Sequence, residues 1–189
     1  MEYKELVNKV IQENLDVLMK VNTKEIDRMI DEIHKAGTIQ LFAMGRMTAS
    51  MRGFAMRLKH MGYDTYVVYD TTTPRIGKGD LLIVNCGVTA VSLNIIKLAK
   101  EAGATVAVIT AHPENEHGNL ANFTVNVPGQ IFGTGTELPS IQPMATLLEQ
   151  SLFLFEDIVA MMMIEKFSIN MDEMQHRHTN LEGVMGDFA

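Results

Sequence analysis

Glycine follows an apolar run and precedes a helical pattern twice in this chain, at Gly45 and at Gly87. Turns of that kind direct helix N-termini, with their free amides and positive dipole ends, at whatever lies between them, which is the chemistry of an anion site. Plain βα turns have the same sequence, so the pattern alone decides nothing. Arg46 sharpens it, because a guanidinium beside the first turn faces the same point; as a bare surface residue it would form a salt bridge instead. Glu149 stands among Leu147, Leu148 and Leu152 near the start of a long helix. A carboxylate there is partly desolvated, as a base for proton transfer requires, although exposed helix glutamates are the commoner case. His176 and His178 flank Arg177 near the C-terminus, and histidine is the natural proton shuttle near neutral pH. They make no metal site, because no third ligand accompanies them. His112 and His117 read as surface residues of a polar loop. Cys86 has no evident base beside it and reads as a small packing residue.

These residues need a scaffold that brings them to one edge. Leu81–Val84 and Thr105–Thr110 are short apolar runs on either side of a helical pattern that Gly103 ends, a βαβ unit. Parallel sheets place ligand sites off the carboxyl ends of their strands. Thr38–Met44, Thr65–Tyr69 and Phe123–Val127 supply further strands. Helices are expected over Tyr3–Met19, from Asn22 or Thr23 to Gly37, from the Gly45 turn to Met61, from Ile141 to Lys166 and over Met171–Thr179. Pro128–Pro139 has glycines and no periodicity, and reads as a mobile loop. The expected architecture is α/β: a three-layer αβα sandwich, flavodoxin-like, with a five-stranded parallel sheet and long C-terminal helices, spanning residues 1–189 as one domain. Leu152–Ile164 is apolar almost all round, so a second subunit is the expected cover for part of it.

Composition limits the partners. A formal charge of −7 argues against nucleic acid. Glu149, Glu156 and Asp157 interrupt the most apolar helix, each at a cost of about 2.5–3.5 kcal/mol in mid-membrane, which argues against a membrane span. One cysteine, no secretory leader pattern and no repeat of solenoid period fit a cytoplasmic protein.

Several stretches resemble one known family. Gly45-Arg46 followed by Phe54–Leu58 and His60-Met61-Gly62, then Thr71–Pro74 with Gly79–Ile83, then Ser140–Met144 with Thr146 and Leu148-Glu149-Gln150, and finally His178–Glu182, are similar to the sugar isomerase (SIS) domain family, and within it to the 6-phospho-3-hexuloisomerases. The resemblance covers nearly the whole chain. It implies the shift of 3-hexulose 6-phosphate to fructose 6-phosphate through a cis-enediol, with no metal or cofactor, in a homo-oligomer, a tetramer or a dimer. It casts Glu149 and His178 as catalytic, and Gly45, Arg46, Thr48, Cys86, Gly87 and Thr89 as holding the sugar phosphate. Two turns depart from the family. Its Gly-Arg-Ser-Gly is here Gly45-Arg46-Met47-Thr48, and its Ser-Gly-Ser-Gly-Glu-Thr is here Cys86–Val91. Hydroxyls are thereby replaced at Met47, Cys86, Val88 and Val91, each lost bond to a charged group being worth about 1.5–3 kcal/mol. Thr48, Ser50, Thr89 and Ser92 stand nearby as substitutes. Two functions stay open: an isomerase with a remodelled phosphate loop, or a non-catalytic or retargeted sugar-ligand binding protein.

Overall fold

Apolar residues alternate along the strands so that each face of one sheet closes its own core. The computed structural model describes residues 1–86 and 89–181. Its elements are α1 (Tyr3–Leu18), α2 (Thr23–Lys35), β1 (Ile39–Phe42), α3 (Met47–Met61), β2 (Thr65–Val67), β3 (Leu81–Asn85), α4 (Ala90–Glu101), β4 (Thr105–Thr110), α5 (Glu116–Leu120), β5 (Phe123–Asn126), α6 (Thr146–Lys166) and α7 (Met171–His176). All strand pairs are parallel, in the order β2-β1-β3-β4-β5. That is the doubly wound order whose chain reverses direction between β1 and β3, where ligands settle.

Leu41, Leu81, Ile83, Ala107, Ile109 and Val125 point to the face covered by α2, α3 and α6. Phe42, Leu82, Val84, Val106 and Val108 point to the other, against Ile96 and Ala99 of α4. The three-layer αβα sandwich expected above is therefore the observed one. Among the described residues no helix is long and apolar enough to cross a membrane.

Three local expectations need correction. The long C-terminal helix begins at Thr146 rather than Ile141. The preceding segment is held outside the helix by Glu13 of α1, whose carboxylate accepts from the Ile141 amide (2.8 Å), the Ser140 hydroxyl (2.7 Å) and the Gln142 amide group (3.1 Å). Burial alone would push the Glu13 carboxyl up, and these bonds hold it below its ordinary value. Next, the polar loop after β4 contains α5, capped by Asn115, and buries His117 to 5% exposure instead of leaving it on the surface. The His117 ring meets Ser92 Oγ at 3.1 Å and the Thr89 carbonyl at 2.9 Å, so it ties α5 to the start of α4.

The glycine-rich loop, lastly, is not free-standing. Glu137 accepts from the amides of Ile131, Gly133 and Thr134 at 3.0, 2.7 and 3.2 Å, and His112 Nε2 lies 2.6 Å away, which also takes His112 out of the surface class. Burial pushes the Glu137 carboxyl up, and the amides and His112 more than offset it. A carboxyl lowered in this way contributes stability that is full above its unfolded value and is lost as pH falls through its folded one. Protection against hydrogen exchange at Ile131–Thr134, taken relative to the intrinsic rate at each pH, is therefore expected to fall sharply on acidification below the ordinary carboxylate range. In Glu137→Gln it should already be low at neutral pH. Equal protection in the two proteins would remove Glu137 as the anchor.

Candidate active site

The first turn and α6 meet through charge. Arg46 precedes α3, and its Nη1 donates to Glu149 Oε2 at 2.6 Å and to Thr146 Oγ1 at 3.2 Å. The Glu149 side chain is 16% exposed and that of Arg46 64%. Leu147, Leu148 and Leu152 turn into the core, so Glu149 faces the guanidinium at the rim of a cleft and not the leucines beside it. Gly45 has φ of +61°, the left-handed conformation that lets β1 turn sharply into α3.

The second turn comes beside the first because β1 and β3 are neighbours. Thr89 caps α4 and its hydroxyl lies 3.3 Å from Met44 Sδ, so the start of α4 touches the end of the β1 turn. Gly87, expected to shape this turn, lies outside the described residues. Thr48 donates to the Ala43 carbonyl at 3.3 Å, and Thr89 Oγ1 lies 2.7 Å from Ser92 Oγ. Ser50 donates to the Met47 carbonyl at 3.0 Å and Ser92 to the Thr89 carbonyl at 2.7 Å, so all four candidate replacement hydroxyls already serve the turns themselves. Cys86 is 1% exposed and meets Ser92 Oγ at 3.3 Å; burial raises its thiol, so it stays protonated, as a packing residue does.

His178 is not brought to this group within one chain. Its ring sits 5.0 Å from that of His60, near the far end of α3. His60 is fourteen residues beyond Arg46, about 21 Å of helix at its usual rise per residue. Burial, helped by His178 and Arg57, pushes the His60 ring below its ordinary value. Arg177 fastens the tail there by donating to the His60 carbonyl at 3.3 Å, beside Gly62. His176 ends α7 and is exposed.

The cleft beyond the ion pair encloses about 490 Å³ between α1, α3 and α6. Val10, Ile11, Phe153 and Leu154 make its walls apolar. The start of α6 is set by a close backbone approach: a Cβ on Gly129 would lie 2.7 Å from Leu148 Cα and 2.8 Å from Leu148 N. Gly129→Ala must therefore push α6 away at the residue before Glu149. The expected cost is about 1–3 kcal/mol, as for overpacking elsewhere, measured by denaturant unfolding. Unchanged stability would mean that the loop gives way and the helix does not.

Sequence reasoning missed two acidic groups here. Glu13 carries no local signal on its helix, and only its contacts with Ser140, Ile141 and Gln142 across the chain reveal it. Glu156 was legible only as an interruption in an apolar run, yet it is 2% exposed. The available signal was its place on the stripe Leu152, Phe155, Val159 and Met163, which turns inward.

Residues 32–154 match the family model of the SIS domain. A 3-hexulose-6-phosphate isomerase of Bacillus subtilis is 31% identical over 96% of this chain and all of its own length. Another from Mycobacterium gastri is 33% identical, covering 92% of this chain and 88% of its own. A solved Methanococcus jannaschii protein, whose structure was taken to infer 3-hexulose-6-phosphate isomerase function, superposes with a TM-score of 0.82 at 30% identity, covering 94% of this chain and 99% of that one. With the family model matching residues 32–154 and relatives more than 30% identical over most of the chain, on a sheet of the same fold, the chain belongs to the SIS-domain family.

Proposed function

We propose that this protein is a sugar-phosphate isomerase that converts 3-hexulose 6-phosphate to fructose 6-phosphate. The observation that carries the reading is the 2.6 Å contact between Arg46 and Glu149, two residues 103 positions apart that were chosen independently for anion binding and for proton transfer. Glu149 removes the proton from C2, the C2–C3 enediol forms, and the former carbonyl oxygen on C3 takes up a proton. The hydroxyl on C2 then loses its proton to become the new carbonyl, and Glu149 returns the carbon proton to C3. Arg46 leaves Glu149 for the negative charge that develops on the substrate, which frees the base at the moment it is needed. The turn amides around Gly45, Cys86, Gly87 and Thr89 receive the phosphate, joined by the Thr48 hydroxyl once it swings away from the Ala43 carbonyl.

His178 acts in ring opening or in proton transfer between the two oxygens, and it does so in the site of a second copy. Support comes from its position at the other end of α3 and from the apolar walls of the cleft, which suit a protein surface better than a sugar. Phe153, Leu154, Ile158 and Met161 remain exposed on α6 at 45, 43, 42 and 69%. A homo-oligomer, tetrameric in the family pattern, covers them in a cytoplasmic enzyme of this kind. The test is direct: purified protein given 3-hexulose 6-phosphate should yield fructose 6-phosphate, and Glu149→Gln should not.

A second reading has its own observation. The Thr48 and Thr89 hydroxyls are engaged within the turns, an arrangement suited to a retargeted or non-catalytic sugar-binding protein. Thermal-shift screening separates the two. Stabilisation by unphosphorylated sugars and none by sugar phosphates would favour the second.

A further inference from the structure

Between α3, β3 and α6 lies a buried polar column that the proposed chemistry does not use. Glu156 stands two turns along α6 from Glu149. Its Oε1 accepts from Asn85 Nδ2 at 2.6 Å, and the same Asn85 nitrogen lies 3.4 Å from Ser50 Oγ. Glu156, Asn85 and Ser50 are each 2% exposed. Glu156 Oε2 and Asn85 Oδ1 are buried without a partner. A core rarely keeps such a set without a reason, since each unsatisfied buried group costs about 1–3 kcal/mol. The column also has direction. Asn85 ends β3 immediately before Cys86 and the turn that leads to Thr89. Ser50 lines the cleft that Arg46 and Glu149 share.

We propose that Glu156 positions the anion-binding end of the site: its carboxyl holds the Asn85 amide, and through Asn85 the start of the Cys86 turn and the Ser50 hydroxyl, in the arrangement that receives a phosphate. This rests on the sugar-phosphate reading above. The groups that face Glu156 are Asn85 from β3 and Ser50 from α3, both neutral, and Asp157 on its own helix. Burial pushes its carboxyl up to about 8, the bond from Asn85 pulls it back, and Asp157 adds to the rise. At neutral pH the group is therefore an uncharged acid with its proton available to Oε2. Its ionisation places a negative charge beneath a site built for an anion and disfavours the ligand by like-charge repulsion at low dielectric.

Calorimetric titration of the intact protein with fructose 6-phosphate, from pH 6.5 to 9.5, tests this in wild type and in Glu156→Gln. The glutamine keeps an acceptor toward Asn85 and cannot ionise. The phosphate's own second ionisation, with a pKa of about 6, is roughly three-quarters complete at pH 6.5 and nine-tenths complete at pH 7, so it contributes little to the change above pH 7. Wild-type affinity should fall roughly tenfold, with its midpoint near 8, while the variant stays flat. Equal profiles in the two proteins overturn the role. Asn85→Ala gives a second reading that does not depend on how Glu156→Gln folds: it breaks the link, so affinity at pH 7 should drop by roughly fivefold, and an unchanged value overturns the role as well.

Melting profiles without ligand separate the two levels of the proposal. A carboxyl raised on folding contributes stability that is full below its unfolded value and fades as pH rises to its folded one. Wild type should therefore lose melting temperature relative to Glu156→Gln from mildly acidic pH up to about 8 and no further. That difference, together with no sugar-phosphate binding by either protein at any pH, overturns the sugar-phosphate reading and this role with it. Binding that ignores pH overturns only the role of Glu156.

Discussion

Glu149→Gln is expected to lower kcat by roughly 10²–10⁴-fold, the usual worth of a positioned general base, while the protein keeps its fold. Glutamine is nearly isosteric and still offers Arg46 an acceptor, so the local geometry at Thr146 survives. What disappears is the capacity to hold a proton between C2 and C3. Stability should change little, because an ion pair whose cation is 64% exposed is largely screened by solvent and such pairs contribute about 0–1 kcal/mol. Steady-state kinetics on 3-hexulose 6-phosphate, beside a melting curve, provide the check. A variant that retains more than about a tenth of wild-type kcat has its base elsewhere, and the enediol assignment to Glu149 falls.

The second large effect concerns the tail. His178→Ala should cost about 10²-fold or more in kcat, even though the imidazole is about 21 Å of helix from Arg46 in its own chain. The structure makes a sharper form of this experiment available. If one copy lends His178 to another copy's Glu149, the two defects can be separated onto different chains. Glu149→Gln and His178→Ala, each nearly inactive alone, should regain a substantial fraction of wild-type activity when unfolded and refolded together, because some assembled sites then carry both intact residues. Mixtures no more active than their components mean that both groups serve the same chain or that His178 serves only the docking of α7. Arg177→Ala helps to separate those outcomes. It removes the tie to the His60 carbonyl while leaving the imidazole, so a fall in melting temperature with kcat retained marks a docking role.

Among the described residues the apolar exposure on α6 follows the same logic. Leu152, Phe155, Val159 and Met163 fill the core of one chain, while Phe153, Leu154, Ile158 and Met161 lie on the opposite side of the same helix. A helix apolar all round has two surfaces to cover, and one chain covers only one of them.

Much of this was legible from order and spacing. Two short β-branched runs either side of a helix that Gly103 ends specify a parallel crossover, since a right-handed βαβ unit is nearly the only solution. The glycine turns and Arg46 could be chosen as one anion site because neighbouring parallel strands end at the same edge. Glu149 was legible from its leucine neighbours and from its resemblance to a family residue. The same local reading failed where the deciding partner was distant in sequence. His117 lies in a polar stretch, yet folding carries it under Ser92 and Thr89. The loop around Gly133 has no periodicity, yet one carboxylate gathers its amides.

The sequence by itself determined the parallel sheet and named the edge proposed for a ligand, with several of the polar groups placed there, because side-chain periodicity and turn chemistry are properties of adjacent residues. Only the tertiary structure decided that Arg46 closes on Glu149, that Glu13 and Glu137 each bind a loop, that Glu156 is buried against Asn85, and that His178 lies at the wrong end of α3 for its own chain. Those facts depend on desolvation and on hydrogen bonds between groups up to 129 residues apart, and no local pattern encodes which distant group will be there to pair.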